Sequence, residues 1–187
     1  MLRRGTAGGM YPIIRMTKEI LKFRNAPARP ITSTHISQHI CWPWDIDLWM
    51  ELNNGRTLTL FDLGRLILAK RTGLINTLKR EGWGMTMAGA CVRYRRRIRR
   101  FARFEMRSRA LGWDDRVLYL EQSMWKKNGD CANQVVYRAA ITDANGIVST
   151  DRVRQAFGTD ALSPMLPDWV LKWIDAENAR PWPPLQD

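Results

Sequence analysis

The sequence predicts an α+β domain in which one long central helix is wrapped by an antiparallel sheet of five to six strands. The segment from Leu58 to Ala69 is apolar around nearly its whole circumference, which is typical of a helix buried on most sides. Strand-like segments follow it, and Asn128-Gly129 and Asn145-Gly146 are typical of type I′ hairpin turns between such segments. Consecutive hairpins form a meander, and a meander packed on a helix is an α+β architecture.

The N-terminal region predicts a basic amphipathic helix over residues 11–24. Ile13, Met16, Ile20 and Phe23 recur at helical spacing, while Arg15, Lys18 and Lys22 occupy another face. Such a helix either packs on the edge of its own domain or makes peripheral contact with an anionic membrane surface. Prolines at positions 27 and 30 end it and mark a linker.

The remaining elements follow from period and turn residues. Asn53-Asn54-Gly55 predicts a turn and a cap for the central helix, and a second short helix is expected over 73–80, closed by Gly82. Strands are predicted at residues 36–47, 85–98, 102–111, 116–127, 132–143 and 147–157. A last helix begins near Pro167. These elements divide the chain into a helix and linker (1–30), a main domain (31–157) and a C-terminal helical extension (158–187).

Composition restricts the class of protein. The chain has 187 residues, and its hydrophobic content of 45% suits one domain with a real core. No apolar run reaches the roughly 18–20 residues that span a bilayer. Arg3-Arg4 is followed by Thr6-Ala7-Gly8-Gly9, where a secretory signal needs an apolar stretch, so we expect a cytoplasmic protein. The three cysteines lack metal-site spacing and His35 and His39 lie in an extended segment, so we expect no metal and no cofactor.

The net charge of +12 is concentrated in one segment. Nine arginines and one acid, Glu105, lie between Arg93 and Arg109, which gives 9 − 1 = +8. Such a cluster indicates an anionic partner: a nucleic acid, a phosphorylated small molecule or a membrane face.

A motif precedes the central helix. Residues 45–54 read Asp-Ile-Asp-Leu-Trp-Met-Glu-Leu-Asn-Asn. This segment resembles the hotdog thioesterases, and it is most similar to the branch around 4-hydroxybenzoyl-CoA thioesterase, whose motif is Asp-x-Asp-x-x-Gly-His-Val-Asn-Asn-x-x-Tyr. The resemblance covers roughly residues 31–157. It implies a hotdog fold, hydrolysis of acyl-CoA thioesters in fatty acid metabolism, and a homodimer or homotetramer in which two chains build each active site.

The resemblance also implies roles for the motif residues. Asp47 supplies the carboxylate, as nucleophile or general base, and the start of the central helix near Asn54 and Gly55 supplies amides for the oxyanion. Asn53 orients the loop or the water. The alternative for Asp47 is a structural cap of its turn.

Three positions depart from the motif. Met50-Glu51 stands where the family has Gly-His, and Thr57 stands where it has Tyr. Losing the glycine indicates a different turn or a blocked pocket wall. Glu51 is either a second acid/base or a surface charge at the mouth, and Gly55 and Thr57 are expected to contact substrate. Asp62 is a second candidate carboxylate, because an acid on an apolar helix must face a polar site or a partner; its alternative is a salt bridge to Arg65 or Arg56.

The arginine cluster fits a CoA substrate. In the family this region lies near the phosphates of CoA, and arginine binds phosphate well. Strand alternation predicts Arg93, Arg95 and Arg97 on one face of the sheet and Arg96 on the other. Two other functions stay open: a non-catalytic hotdog protein that binds acyl-CoA or an acyl carrier, and a nucleic-acid-binding protein that uses the aromatics interleaved with these arginines.

Overall fold

A six-stranded antiparallel sheet curls around one 18-residue helix, Asn54–Arg71, in the computed structural model, which describes residues 11–184. The helices are α1 (Ile13–Lys22), α2 (Asn54–Arg71), α3 (Leu74–Glu81), α4 (Thr150–Phe157) and α5 (Asp168–Ala179). The strands are β1 (His35–Ile40), β2 (Gly84–Tyr94), β3 (Arg103–Trp113), β4 (Val117–Lys126), β5 (Cys131–Asp143) and β6 (Gly146–Ile147). The predicted α+β architecture with one wrapped central helix is confirmed.

The strand order is β1-β3-β4-β5-β2, and the short strand β6 pairs with β5. All pairs are antiparallel, as the succession of hairpins predicts. Among residues 11–184, strand β2, which follows α3 in the chain, pairs with β5 alone and therefore forms one edge of the sheet.

The last predicted strand is wrong. Residues 147–157 contain only the end of β6, and Thr150–Phe157 forms helix α4 instead. The side chain of Ser149 accepts a hydrogen bond from the amide of Arg152 and so caps the helix. Asp151 lies in the first turn, where its negative charge interacts favourably with the positive end of the helix dipole. The first strand is also shorter than predicted: it ends at Ile40, and a 3-10 turn follows at Pro43–Asp45.

The hairpin turns are not of the predicted type. A type I′ turn needs positive φ at both central residues. Among the described residues, the non-glycine residues with positive φ are Met50 and Phe101, so Asn128 and Asn145 do not meet this requirement. The amide of Gly129 donates to the carbonyl of Lys126, and the register shifts between Met124 and Trp125. The first hairpin therefore uses a four-residue loop with a left-handed Gly129, whereas the second has the two-residue loop Ala144-Asn145, and its positive φ lies at Gly146, the first residue of β6.

Helix α2 packs closely on the inner face of the sheet. Its fully buried apolar residues are Leu60, Phe61, Leu63 and Ile67. Gly64 faces β3, where an added Cβ would lie 2.4 Å from the Ser108 hydroxyl and 2.7 Å from the Met106 sulfur. Glycine at this position therefore lets the helix approach the sheet more closely than any other residue would.

Helix α1 lies over β1 and α2, but the residues that it buries there differ from those predicted. It buries Met16 and Glu19 against the domain, and Phe23 makes an edge contact with the ring of His35 at 4.7 Å. Ile13 and Ile20, predicted to share the packed face, are exposed. The helix therefore packs on its own domain but leaves an apolar surface open. No helix of residues 11–184 has both the length and the apolar character needed to cross a membrane.

The outer face of the sheet is partly covered by the C-terminal segment. Val170 of α5 is fully buried in a second apolar cluster. Its buried partners are Leu111, Val117, Tyr119, Val136 and Ala140 of the sheet. The hydroxyl of Ser163 accepts from the Trp113 amide at 2.8 Å, and a Cβ at Gly112 would lie at the same distance from this hydroxyl. The close approach of the C-terminal segment thus depends on Gly112.

Candidate active site

The loop between β1 and α2 folds back on itself as a short two-stranded ribbon. Ile46 pairs with Leu52, the amide of Asp47 donates to the carbonyl of Glu51 at 2.9 Å, and the amide of Met50 donates to the carbonyl of Asp47 at 3.1 Å. The carbonyl of Asp45 accepts from the amide of Asn53. Asp47 therefore lies opposite Glu51 in this ribbon, and Glu51 stands three residues before α2 begins at Asn54.

Met50 keeps the backbone conformation that a glycine would adopt. Its φ is 60°, in the left-handed region. Met50 stands at the glycine position of the family motif, and its backbone conformation is one that favours glycine. A methionine here stores backbone strain, and the expectation of a different turn or a blocked pocket wall stays a prediction.

Asp45 is a structural residue for which the sequence provided no role. It is fully buried, and its Oδ2 accepts from Arg15 at 2.6 Å and from the amide of Trp42 at 2.9 Å. Its Oδ1 accepts from Nε of Arg56 at 2.8 Å. The carboxylate thereby joins α1, the loop and the first turn of α2. Its position as the first Asp of the motif was visible in the sequence, but its partners lie 30 and 11 residues away.

Asp47 is half-buried and only partly engaged. Its Oδ1 accepts from the amide of Trp49 at 2.9 Å, which is the cap contact expected if the residue stabilises its turn. Within residues 11–184, its Oδ2 accepts no hydrogen bond and its carboxylate has no ion pair. One oxygen thus fixes the orientation of the carboxylate, and the other is left for a reacting group.

The N-terminus of α2 presents two unused amides. Asn53 caps the helix by accepting from the amide of Arg56 at 2.9 Å, and the amide of Thr57 donates to the carbonyl of Asn53. The amides of Asn54 and Gly55 have no acceptor among the described residues. First-turn amides with the positive end of a helix dipole behind them stabilise an anion. The arrangement agrees with the oxyanion site that the resemblance implies.

Glu51 and Asp62 are both neutralised by arginines. Glu51 Oε2 lies 2.8 Å from Nε of Arg97, and Glu51 pairs through its backbone with Arg99. Asp62 pairs with Arg65 through Oδ1 and accepts from the hydroxyl of Tyr11 at 3.0 Å through Oδ2. Of the two partners expected for Asp62, Arg65 is the observed one, since Arg56 binds Asp45.

Thr57, an expected substrate contact, is fully buried. Its hydroxyl donates to the carbonyl of Asn53 at 3.1 Å, so its side chain stabilises the first turn of α2 and is closed to substrate in this chain. At the same end of α2, the hydroxyl of Tyr94 donates to the carbonyl of Asn54 at 3.0 Å. This bond ties the end of β2 to the start of α2.

The arginine cluster does not follow strand alternation, because β2 ends at Tyr94. The amides of Arg95 and Arg96 both donate to the carbonyl of Ala132. Arg93, Arg95 and Arg96 therefore line one recess of about 370 Å³ on the outer face, whereas Arg97 turns to Glu51. The predicted separation of Arg96 from Arg93 and Arg95 is wrong.

A second, larger groove of about 520 Å³ adjoins this recess, and Cys131 and Gln134 line both. Its arginines are already paired: Arg107 binds Glu105, and Arg109 binds Glu121. The unpaired positive charge is therefore greatest in the first recess, which we name the Arg93 recess after its strand residue.

Comparisons with known proteins agree with this geometry. The chain is 33% identical over 167 residues to Protein THEM6 of Xenopus laevis, which covers 88% of this chain and 79% of that protein. The probable thioesterase YbaW of Escherichia coli superposes with a TM-score of 0.61 at 13% identity, covering 65% of this chain and 94% of its own. SAV2348 of Staphylococcus aureus, solved in complex with CoA, gives a TM-score of 0.57 at 10% identity, covering 76% and 94%.

The two structural likenesses, at these low identities, show the fold: the domain is a hotdog fold. The assignment of the family rests on the sequence itself. Residues 41–174, which run from the loop before α2 to the middle of α5, match the model of the thioesterase-like superfamily. Thioester hydrolysis is the chemistry that this match supports. The chain belongs to the thioesterase-like superfamily.

Proposed function

We propose that this protein hydrolyses acyl-CoA thioesters, with Asp47 as the catalytic carboxylate. One observation carries the choice of residue. Four acids lie on the loop and on α2, and three of them, Asp45, Glu51 and Asp62, are paired with arginines. Asp47 alone among these four has no arginine partner within residues 11–184, and it stands at the position of the family's catalytic Asp.

The proposed reaction uses water and the chain's own groups. As a general base, Asp47 takes a proton from water, and the hydroxide attacks the thioester carbonyl carbon. The amides of Asn54 and Gly55 stabilise the oxyanion of the tetrahedral intermediate. The C–S bond then breaks, the acid is released, and the CoA thiolate takes up a proton. As a nucleophile, Asp47 instead forms a mixed anhydride with release of CoA, and water hydrolyses that anhydride.

The Arg93 recess supplies the second part of the proposal. Arg93, Arg95 and Arg96 line one cavity together with Asp130, and within residues 11–184 none of the three arginines forms an ion pair; Nη1 of Arg96 donates to the carbonyl of Arg95. Guanidinium groups match phosphate oxygens. The Tyr94–Asn54 bond holds this end of β2 against the N-terminus of α2. The same strand thus connects a phosphate site to the reacting centre, as a CoA ester requires.

The proposal includes a homodimer or a larger homo-oligomer. Strand β2 is 11 residues long, and its outer edge has unpaired backbone groups, because β5 is its partner within the chain. Long open edges pair with another strand unless they are blocked. Residues 84–90 of this edge include Gly84, Thr86, Ala88, Gly89 and Ala90, without a charge that would oppose pairing. Light scattering at micromolar concentration is expected to give at least a dimer, and a monomer would contradict this part of the proposal.

The decisive experiment is Asp47→Asn, assayed by thiol release from acyl-CoA esters of different chain length and from aryl-CoA esters. Asparagine keeps the oxygen that accepts from the Trp49 amide, so the turn and the melting temperature change little. The substitution removes the charge and the basicity, so we expect kcat to fall at least about 100-fold. If Asp47 only capped its turn, Asp47→Asn would show no such loss of kcat.

Two variants serve as controls for the position of the chemistry. Glu51→Gln and Asp62→Asn each remove an acid that is already paired, and we expect both to retain most of the turnover. If Asp47→Asn remains active and one control loses activity, the chemistry belongs to that other carboxylate. If all three remain active, the carboxylate mechanism is wrong.

A non-catalytic acyl-CoA binding protein is the second candidate, and the cap contact between Asp47 and the Trp49 amide favours it. It predicts that the wild type binds a non-hydrolysable acyl-CoA analogue, measured by calorimetry, but releases no thiol from any ester of the panel. Detectable turnover in the wild type excludes it.

A further inference from the structure

Helix α1 has a face that is not covered by any of residues 11–184. Met16 and Glu19 are the residues that it buries, and Arg15 and Phe23 are half-buried on the same side. At about 100° per residue, these positions cluster on one side of the helix, and the opposite side faces solvent.

The solvent side of α1 is apolar. Ile14 is 87% exposed and Leu21 is 58% exposed, and both lie directly opposite the buried side. The arc continues through Thr17 to Ile13 and Ile20, which are also exposed. Together these five residues span an arc of about 120°, which is the width of an apolar stripe that normally faces a core. Here no core covers it.

The exposed charges around this stripe are all positive. Lys18 and Lys22 flank it on one rim and Arg24 follows its last turn, and all three are exposed. The one acid of the helix, Glu19, is only 2% exposed and lies on the opposite side. Burial raises the pKa of Glu19 above its ordinary value, although the nearby lysines oppose this shift. The solvent-facing side of α1 is therefore apolar in its middle and cationic at its edge.

We propose that this face of α1 docks on the surface of a lipid bilayer that contains anionic phospholipid. An apolar stripe with a lysine rim matches the acyl–headgroup boundary: the isoleucines and leucine enter the apolar layer while the ammonium groups meet lipid phosphates. A second copy of the chain fits less well, since a two-fold contact through this face would bring Lys18 and Lys22 near their own copies. The thioesterase-like region begins at residue 41, so α1 lies outside it and its exposed face has no part in that fold.

The structure holds α1 in the orientation that docking requires. The guanidinium of Arg15 binds Asp45 and the carbonyl of Ile40, each at 2.6 Å, and Tyr11 binds Asp62 just before the helix begins. These contacts use only the inner side of the helix. The docked helix therefore keeps its packing, and binding requires no unfolding of the domain.

The test is co-sedimentation of the full chain with vesicles of phosphatidylcholine alone and of phosphatidylcholine mixed equally with phosphatidylglycerol. We expect binding to the mixed vesicles that weakens as salt is added, and little binding to phosphatidylcholine alone. The double variant Ile14→Asp/Leu21→Asp is expected to lose at least tenfold in partition coefficient. Because both side chains are exposed, this variant should keep the wild-type melting temperature. Lys18→Gln/Lys22→Gln should lose about fivefold per lysine.

Leu162→Asp is the matched control, since Leu162 is 81% exposed and lies outside α1. It is expected to bind vesicles as the wild type does. Equal sedimentation of the wild type and Ile14→Asp/Leu21→Asp overturns the proposal, as does equal binding to both vesicle compositions. If the wild type ignores vesicles and the double variant changes the mass measured by light scattering, the face is a contact between copies and the proposal is wrong. The readout is binding, so it is independent of whether Asp47 is catalytic.

Discussion

Oδ1 of Asp45 lies 2.8 Å from Nε of Arg56, and this bond ties the loop before the candidate active site to the first turn of α2. The carboxylate is fully buried and also binds Arg15 of α1. Two arginine partners and a backbone amide thus satisfy one charge in the interior. Such an arrangement fixes the loop strongly, because removing the charge of Asp45 takes the shared carboxylate away from two largely buried arginines.

We therefore expect Asp45→Asn to lower the free energy of unfolding by about 3–5 kcal/mol. Urea denaturation followed by tryptophan fluorescence measures this change. Asp151→Asn is the control: Asp151 is 77% exposed in its pair with Arg154, so its loss should change stability by no more than about 0.5 kcal/mol. Similar small effects in both variants would show that the buried pair contributes little.

Substitution in the Arg93 recess should separate binding from chemistry. Arg93→Gln and Arg95→Gln remove charges that hold the phosphates of substrate and transition state alike, so KM should rise while kcat changes little. Each lost contact is expected to cost roughly 1.5–3 kcal/mol in kcat/KM. Steady-state kinetics with one acyl-CoA checks this.

Arg97→Gln is the control for the recess, because Arg97 pairs with Glu51 and lies outside that cavity. Its effect on KM should be clearly smaller. A KM that rises equally in all three variants would place the phosphates elsewhere along the arginine cluster.

Met50→Gly should relieve the strain in the loop. A left-handed backbone costs a non-glycine residue roughly 1–2 kcal/mol, and Met50→Gly removes this cost. Glycine adds an entropic cost on folding of about 0.5–1 kcal/mol, which is smaller than the strain removed. We expect a melting temperature equal to or above that of the wild type. Leu48→Gly, at a neighbouring position that is 93% exposed and has no positive φ, should lower it. A marked loss in Met50→Gly would mean that the Met50 side chain makes a contact that matters more than its backbone.

The two histidines of β1 predict a pH dependence of stability. Burial and, to a smaller extent, nearby Arg71 lower the pKa of His35 from the ordinary 6.5 to about 4, and burial together with Arg15 lowers the pKa of His39 to about 3. The unfolded chain binds protons below pH 6.5 that the folded chain does not, so stability is full above pH 6.5 and falls as the pH drops toward 4 and 3. At pH 5 each histidine should account for about 2 kcal/mol of lost stability.

Urea denaturation at pH 7 and pH 5 measures this loss. In His35→Gln/His39→Gln, the free energy of unfolding should differ much less between pH 7 and pH 5, because glutamine does not titrate. Most of the loss of about 2 kcal/mol per histidine should disappear. An unchanged difference would assign the acid sensitivity to other groups.

Local signals in the sequence predicted much of this fold. The apolar residues around nearly the whole circumference of α2 identified the central helix. The segment Asn53-Asn54-Gly55 was expected to cap it, and in the structure the capping residue is Asn53. The turn glycines identified the hairpins, although Gly129 and Gly146 are the residues with positive φ and the asparagines before them are not. The prediction of a strand over residues 147–157 was wrong although Val153, Ala156 and Phe157 stand at the i, i+3, i+4 spacing of a helix and Ser149 is a good capping residue.

The site was harder to predict than the fold, because its electrostatics depend on partners that are distant in sequence. Which of the nearby acids is neutralised follows from the positions of Arg15, Arg56, Arg65 and Arg97, and only the folded chain brings these arginines to their acids. Likewise, the alternation rule failed for Arg96 because it holds only within a strand, and β2 ends two residues earlier.

Helix α5 limits how copies of this chain can assemble. Two sheets that stack face to face lie about 10 Å apart, with only side chains between them. On the outer face of this sheet, Val170 already occupies that layer above Tyr119 and Val136. Back-to-back stacking of two such sheets over this half would require α5 to leave, with exposure of an apolar cluster. The C-terminal helix is thus a steric spacer over this half of the outer face, and a second copy of the chain could not stack its sheet there.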